Sequence, residues 1–172
     1  MNFKKFNFKK ITSTNEKAIN LLKKGYKRGI VIADFQSKGR GQYGKKWISI
    51  KGNLLMSIFF QIKKKISIKR LNKINLELVK KVLQTFSNKK IKIKYPNDLF
   101  IDKKKFCGIL QETIFVKNNK FLVLGIGVNI NDSPKIPHYP TTFLNLYSSK
   151  KISKFVISKY IKRAYEINNI VF

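Results

Sequence analysis

Residues 29–47 read GIVIADFQSKGRGQYGKKW, and this stretch decides the fold class. Gly29–Phe35 is an apolar, β-branched run of strand length. Ser37–Lys46 has no hydrophobic periodicity and sets Gly39, Gly41 and Gly44 among cations. Glycine lets a backbone approach a ligand closely and expose N–H donors, while the cations suit a phosphate or carboxylate. The stretch nearly fits a P-loop through Gly39-x4-Gly44-Lys45, but departs from it twice. Lys46 stands where a Ser or Thr would hold Mg²⁺. Trp47–Ile50 leads into another strand, so no helix N-terminus follows to cradle a phosphate. Taken alone, the loop reads equally as a mobile basic surface segment.

Working outward, Asn53–Ile62 (NLLMSIFFQI) is a nearly fully apolar strand, as expected of one buried on both faces. Phe121–Ile130 (FLVLGIGVNI) is another, carrying two glycines. Ile91–Lys94 is a short alternating strand, and Tyr95-Pro96-Asn97-Asp98 is a turn. Leu99–Ile101 and Phe106–Val116 form a hairpin through Asp102–Lys105. A helix starts at Thr12-Ser13-Thr14-Asn15, with a capping hydroxyl, carries Ala18, Leu21 and Leu22 on one face, and ends at Gly25 or Gly29. The long helix is Ser67–Phe86, with Leu71, Ile74, Leu78, Val82 and Phe86 at steps of three and four. A last helix, Ile152–Ile167, is amphipathic through Phe155, Val156, Tyr160, Ile161 and Ala164. This order gives an α+β class: a mixed sheet with helices mainly on one side. There is no internal repeat and no Pro/Gly/Ser linker, so residues 1–172 are expected to form a single domain.

Composition narrows the functions. The 172 residues are 43 % hydrophobic and 13 % aromatic, enough for a packed core. The formal net charge of +30 points to a polyanionic partner. Among the 38 basic residues, however, only Arg28, Arg40, Arg70 and Arg163 carry the guanidinium fork favoured for reading bases and phosphates. Lysine is spread through every element, which reads as compositional drift rather than a designed patch. One cysteine, Cys107, permits no internal disulfide and suits a reducing cytoplasm. Met1–Lys10 has no apolar core of a signal peptide. The apolar stretches, about ten residues each, fall short of the roughly 20 needed to span a bilayer.

Three further motifs could carry chemistry. In Lys94-Tyr95-Pro96-Asn97-Asp98 the proline fixes a turn that aims Asp98 at a metal-bound phosphate. Lys105-Phe106-Cys107-Gly108-Ile109-Leu110 offers a fixed positive charge at the start of an apolar strand, with alternation placing Lys105 and Cys107 on one face and Phe106 on the other. Gly125-Ile126-Gly127-Val128-Asn129 leaves one strand face bare beside Asn129, as at sites of close ligand approach. Each has an ordinary reading too: a surface turn, a solvated edge lysine, a packed strand. His138 lies in Pro137-His138-Tyr139-Pro140 without ligand partners at metal spacing, and Cys107 reads as an apolar filler.

In their order along the chain, Ser13-Thr14-Asn15, Gly39-Arg40-Gly41-x-x-Gly44-x-x-Trp47, Lys94-Tyr95-Pro96-Asn97-Asp98, Lys105-x-x-Gly108-Ile109-Leu110 and Gly125-Ile126-Gly127-Val128-Asn129 resemble the signature of the biotin–protein ligases. The resemblance runs from about residue 11 to residue 165. It implies a mixed sheet akin to the class II aminoacyl-tRNA synthetase core. It also implies a two-step reaction: biotin and ATP give biotinyl-5′-AMP, and a lysine of the biotin carboxyl carrier domain of acetyl-CoA carboxylase then takes the biotin. No protein nucleophile is needed, and none is evident.

By the same resemblance, Ser13, Thr14 and Gln36 bind the biotin ureido ring with the Gly39–Arg40 backbone, beside Gly108. Arg40 and Lys45 meet phosphate or carboxylate. Gln42, Trp47 and Asn97 line the adenylate, Asp98 helps place Mg²⁺-ATP, and Asn129 reads adenine. Lys105 touches the biotin carboxylate and the α-phosphate. Catalysis is therefore expected of Lys105, Arg40 and Asp98, with no metal site made by protein alone. The chain departs from the family where Gln42 and Lys45 replace arginines and Tyr95 a tryptophan. It also shows no helix-turn-helix before residue 11 and no small β-barrel after Phe172, so a repressor role is not expected. The rival readings are a lipoate or octanoate ligase of the same superfamily and a basic nucleic-acid-binding protein, the latter favoured by charge alone.

Overall fold

A computed structural model describes residues 2–62 and 66–167. Seven strands form one sheet in the order β1-β2-β3-β7-β6-β5-β4. They are β1 (Lys5–Ile11), β2 (Arg28–Gln36), β3 (Leu54–Gln61), β4 (Lys92–Lys94), β5 (Asp98–Ile101), β6 (Lys104–Val116) and β7 (Asn119–Val128). The β1–β2 pair is parallel and every other pair antiparallel, so the sheet is mixed, as the sequence implies. Helix α1 (Thr14–Lys23) covers one face; α2 (Ile68–Gln84) and α3 (Lys154–Ile167) cover the other.

The core follows the strand patterns. From Leu54 to Phe60 every residue of β3 is buried, because both faces of this central strand are covered. Even-numbered residues of β7, from Leu122 to Val128, join the large cluster under α2 and α3. Phe121 and Val123 join Val31, Phe59, Ala18 and Leu22 under α1. Burying one such side chain fully contributes about 1.5–3 kcal/mol.

Several boundaries differ from the sequence reading. The lysine-rich start also forms a strand, β1, which its charge pattern does not signal. Phe6 and Phe8 alternate with Lys5 and Asn7, and the half-buried rings pack toward α1 while Phe3 sits in the main core. The backbone N–H of Phe3 donates to Glu166 Oε1 at 3.1 Å, tying the segment just ahead of the first strand to α3. Helix α1 has Ser13 at its N-cap, but the hydroxyl makes no capping bond; the helix ends at Lys23 with Lys24 as its C-cap, and the chain turns away through Gly25, whose φ of 95° suits glycine. Strand β6 begins at Lys104, because Asp102 and Lys103, both at positive φ, make a two-residue turn.

The helix faces are also rotated from expectation. On α2, Ile74 and Val82 are only half-buried, as is Phe86 just past the helix end, and Leu76, Val79 and Leu83 take the inner positions with Leu71 and Leu78. On α3, Phe155, Val156 and Tyr160 are exposed, and Ile157, Ile161 and Tyr165 form the inner stripe. Apolar residues outnumber the buried positions on both helices, so periodicity alone does not choose among them. No described helix is long and apolar enough to cross a membrane.

Candidate active site

On the α1-facing side of the sheet's middle, three glycines leave the backbone bare. Gly127 of β7 pairs with Gly108 of β6, and Gly125 stands two residues away. A Cβ on Gly125 would lie 2.5 Å from Asn15 Oδ1, and one on Gly127 2.4 Å from the indole of Trp47; one on Gly108 would meet the same ring at 2.8 Å. These positions are glycine because Asn15 and Trp47 lie against the backbone there. The indole Nε1 is buried without a hydrogen-bond partner.

Around this floor the chain converges from three sides. At the start of α1, Thr14 donates to Gln36 Oε1 through its backbone N–H (2.7 Å) and its hydroxyl (3.0 Å). The Ser49 hydroxyl accepts from Gln36 N–H and donates to Gln36 C=O, fixing the residue that carries that amide. Ser13, Thr14 and Gln36 are all buried. The glycine loop is pinned at its base, where Trp47 N–H donates to Gly39 C=O at 3.0 Å. A Cβ on Gly39 would strike Trp47 O at 2.4 Å. At the loop's tip, Tyr43 and Gly44 have positive φ and Tyr43 is 90 % exposed. Lys45 is exposed and Gln42 half-buried; neither side chain has a hydrogen bond or ion pair among the described residues.

Arg40 reaches back to the sheet. Its Nη2 lies 2.9 and 3.1 Å from the two oxygens of Glu112, which also accepts from Asn15 Nδ2 at 2.7 Å. The Ser57 hydroxyl donates to Asn15 Oδ1. A polar chain from Ser57 through Asn15 and Glu112 to Arg40 thus crosses the floor, with Asn15 and Ser57 buried. The sequence reading singled out neither Glu112 nor Ser57 for the site. Glu112 shares the strand face of Gly108 by alternation, and Ser57 is the one hydroxyl in an apolar strand.

The third side holds Lys105. Its ammonium lies 2.8 Å from Asp98 Oδ1, and the side chains are 19 % and 12 % exposed. The indole of Trp47 is 5.7 Å from that nitrogen and the ring of Tyr139 5.6 Å. Lys105 does not share a face with Cys107. The β5–β6 register shifts at Leu99/Phe100, so Phe106 and Cys107 both enter the main core and Lys105 comes to lie beside Gly108. Burial pushes the Cys107 thiol well above its ordinary pKa, Asp98 adding to the rise.

Tyr139, from a loop that no motif covered, donates its hydroxyl to Asp98 Oδ2 at 3.0 Å. Burial first, then the Asp98 charge and this hydrogen bond, pushes the phenol up to about 12. Asn97 and Asn129, expected at the nucleotide, use their side-chain amides within the protein. Asn97 Nδ2 donates to Ile109 C=O, and Asn129 Nδ2 to Thr142 C=O while its Oδ1 accepts from Asn53. Among the described residues no three His, Cys, Asp or Glu side chains are grouped to hold a metal ion.

The model of the biotin/lipoate A/B protein ligase family matches residues 6–129. The bifunctional ligase/repressor BirA of Escherichia coli (strain K12) is 32 % identical over 127 residues, covering 70 % of this chain and 38 % of that protein. BirA of Bacillus spizizenii is 30 % identical over 166 residues, covering 91 % and 50 %. This chain therefore spans half or less of the length of these curated relatives. In three dimensions it is similar to the biotin protein ligase of Leishmania major crystallised with biotinyl-5-AMP: TM-score 0.80, 24 % identity, covering 95 % of this chain and 74 % of that one. The sheet and its helices are thus the class II aminoacyl-tRNA synthetase-like fold of such ligases, and the chain belongs to the biotin/lipoate A/B protein ligase family.

Proposed function

We propose that residues 1–172 form one catalytic domain that activates biotin with ATP and transfers it to a lysine of a carrier protein. In the first step a biotin carboxylate oxygen attacks the α-phosphorus of ATP and pyrophosphate leaves. In the second, the carrier amine attacks the acyl carbon of biotinyl-5′-AMP and AMP leaves. The observation that carries this reading is the Lys105–Asp98 ion pair beside the glycine floor of Gly108 and Gly127. That arrangement offers a shielded cation where two anions must meet, which is the electrostatic demand of adenylation.

On this reading Ser13, Thr14 and Gln36 hold the ureido ring, with Gly39 and Arg40 closing over it. Lys105 bridges carboxylate and α-phosphate, and Gln42, Lys45 and Trp47 shield the adenylate from water. Asn97 and Asn129 border the nucleotide from positions set by their inward hydrogen bonds. Asp98 fits a role beside Mg²⁺: a single carboxylate suits an ion that binds chiefly through phosphates and keeps several waters. Mg²⁺ would neutralise phosphate charge when it accompanies ATP.

The carrier we infer is the biotin carboxyl carrier domain of acetyl-CoA carboxylase, modified in the cytoplasm. The test is a two-stage assay: biotin-dependent ATP–pyrophosphate exchange, then label transfer to the carrier domain. Exchange and transfer with biotin support the reading. Lipoate or octanoate outcompeting biotin would move the substrate to the other branch of the family, whose description spans both.

A further inference from the structure

The loop that follows β7 makes a second line of contact with Lys105. Lys105 N–H donates to Pro140 C=O at 2.9 Å, and Thr142 N–H donates to Lys105 C=O at 2.9 Å, so the loop runs beside the lysine like a short parallel strand. Tyr139 sits just before these bonds. Its ring packs edge-on against Phe100, with centroids 6.4 Å apart, and lies 5.6 Å from the Lys105 ammonium and 5.8 Å from that of Lys94. Its hydroxyl donates to Asp98 Oδ2, and the other oxygen of the same carboxylate holds Lys105.

We propose that Tyr139 is a positioning residue for the adenylation step: its hydroxyl locks the Asp98 carboxylate in the orientation that sets the Lys105 ammonium. The inference rests on the biotin-activating reading above. A carboxylate rotates in a broad torsional well, and a lysine stem has four rotatable bonds. One hydrogen bond from a rigid ring therefore removes much of the freedom of both. Lys105 meets the carboxylate and the phosphate most closely as they react. Loosening it lowers the rate of chemistry more than the binding of biotin.

The test is steady-state biotin-dependent ATP–pyrophosphate exchange on the full chain for wild type, Tyr139→Phe, Asp98→Asn and the double variant. Tyr139→Phe keeps the ring against Phe100 and the lysines and removes only the hydroxyl. The expected result is a fall in kcat of about tenfold, the scale of one hydrogen bond to a charged group. The KM for biotin stays within about twofold, and the melting temperature is unchanged. In the Asp98→Asn background the same substitution changes kcat by less than about twofold, because the route runs through Asp98. An unchanged kcat, an effect confined to KM, or an equal loss in both backgrounds would overturn the proposal. A wild type with no biotin-dependent exchange would instead sink the adenylation reading, and the positioning role with it.

Discussion

Lys105 Nζ and Asp98 Oδ1 lie 2.8 Å apart, each side chain mostly shielded from water. A cation held this way is fixed in place before any ligand arrives, so on the proposed reaction the chemical step would not have to order it. Replacing Lys105 with alanine is expected to lower biotin-dependent pyrophosphate exchange by about 100-fold or more, the usual effect of deleting one preorganised group. Arginine at 105 should not restore it, since the planar fork cannot occupy the ammonium's place between Asp98 and the indole. Recovery with arginine would show that only charge matters.

Trp47 offers an optical test of the glycine floor, because it is the only tryptophan in the chain. A methyl group on Gly127 would lie 2.4 Å from the indole and must displace it. Gly127→Ala is expected to shift the fluorescence emission to the red and to weaken biotin binding about tenfold. Unaltered emission and affinity would mean that the indole's place against Gly127 is dispensable.

Glu112 holds Arg40 of the glycine loop and Asn15 of α1 at once. The Arg40–Glu112 pair is part-exposed, so its own stabilisation is under about 1 kcal/mol. Glu112→Gln should barely move the melting temperature yet raise the Kd for biotin several-fold, by freeing the loop. Calorimetric titration with biotin, beside a thermal melt, separates the two effects.

Gln42 stands in the glycine loop at a position where the ligase signature that the sequence resembles implies arginine. The missing charge predicts looser retention of biotinyl-5′-AMP, partly offset by neighbouring lysines. The dissociation rate of the adenylate should fall in Gln42→Arg. Equal rates in the two proteins would refute this.

Cys107 is fully buried, and burial raises its thiol pKa in the folded protein. The folded state thus favours the neutral thiol. This contribution to stability is complete below the pKa of a free thiol and is lost as pH climbs above it. Native protein should therefore resist a thiol-specific disulfide reagent at pH 8, whereas protein unfolded in denaturant should react stoichiometrically. Rapid reaction of the native form would contradict the burial.

Much of the fold is legible in the sequence because the central strands are long, apolar and bounded by glycine or turn residues. β3 and β7 could hardly be anything else. The edge strand β1 escaped because lysines alternate with its phenylalanines, and a basic start reads as polar when its rings have no visible partner. The helices were found, but not their inner faces, since Phe155 and Tyr160 are as apolar as the residues that turn inward. The glycine, lysine and Pro-Asn-Asp motifs come together around one floor. Simple alternation puts Lys105 on the face of Cys107, and the register shift that moves it to the other face leaves no local mark on sequence. Tyr139 was missed because its partner, Asp98, lies 41 residues away and is joined to it only by the fold.

The hydrogen bond from Phe3 to Glu166 joins positions 163 residues apart. β1 pairs with β2 nearby in the sequence, but Phe3, just ahead of β1, bonds to a helix at the other end of the described chain. Such a long-range contact raises the contact order, a property that accompanies slower folding. It also brings the two segments into one neighbourhood. A circular permutant joined by a short linker there, and opened at the exposed Lys117–Asn118 turn of the β6–β7 hairpin, should keep the sheet order while making this long-range contact a local one.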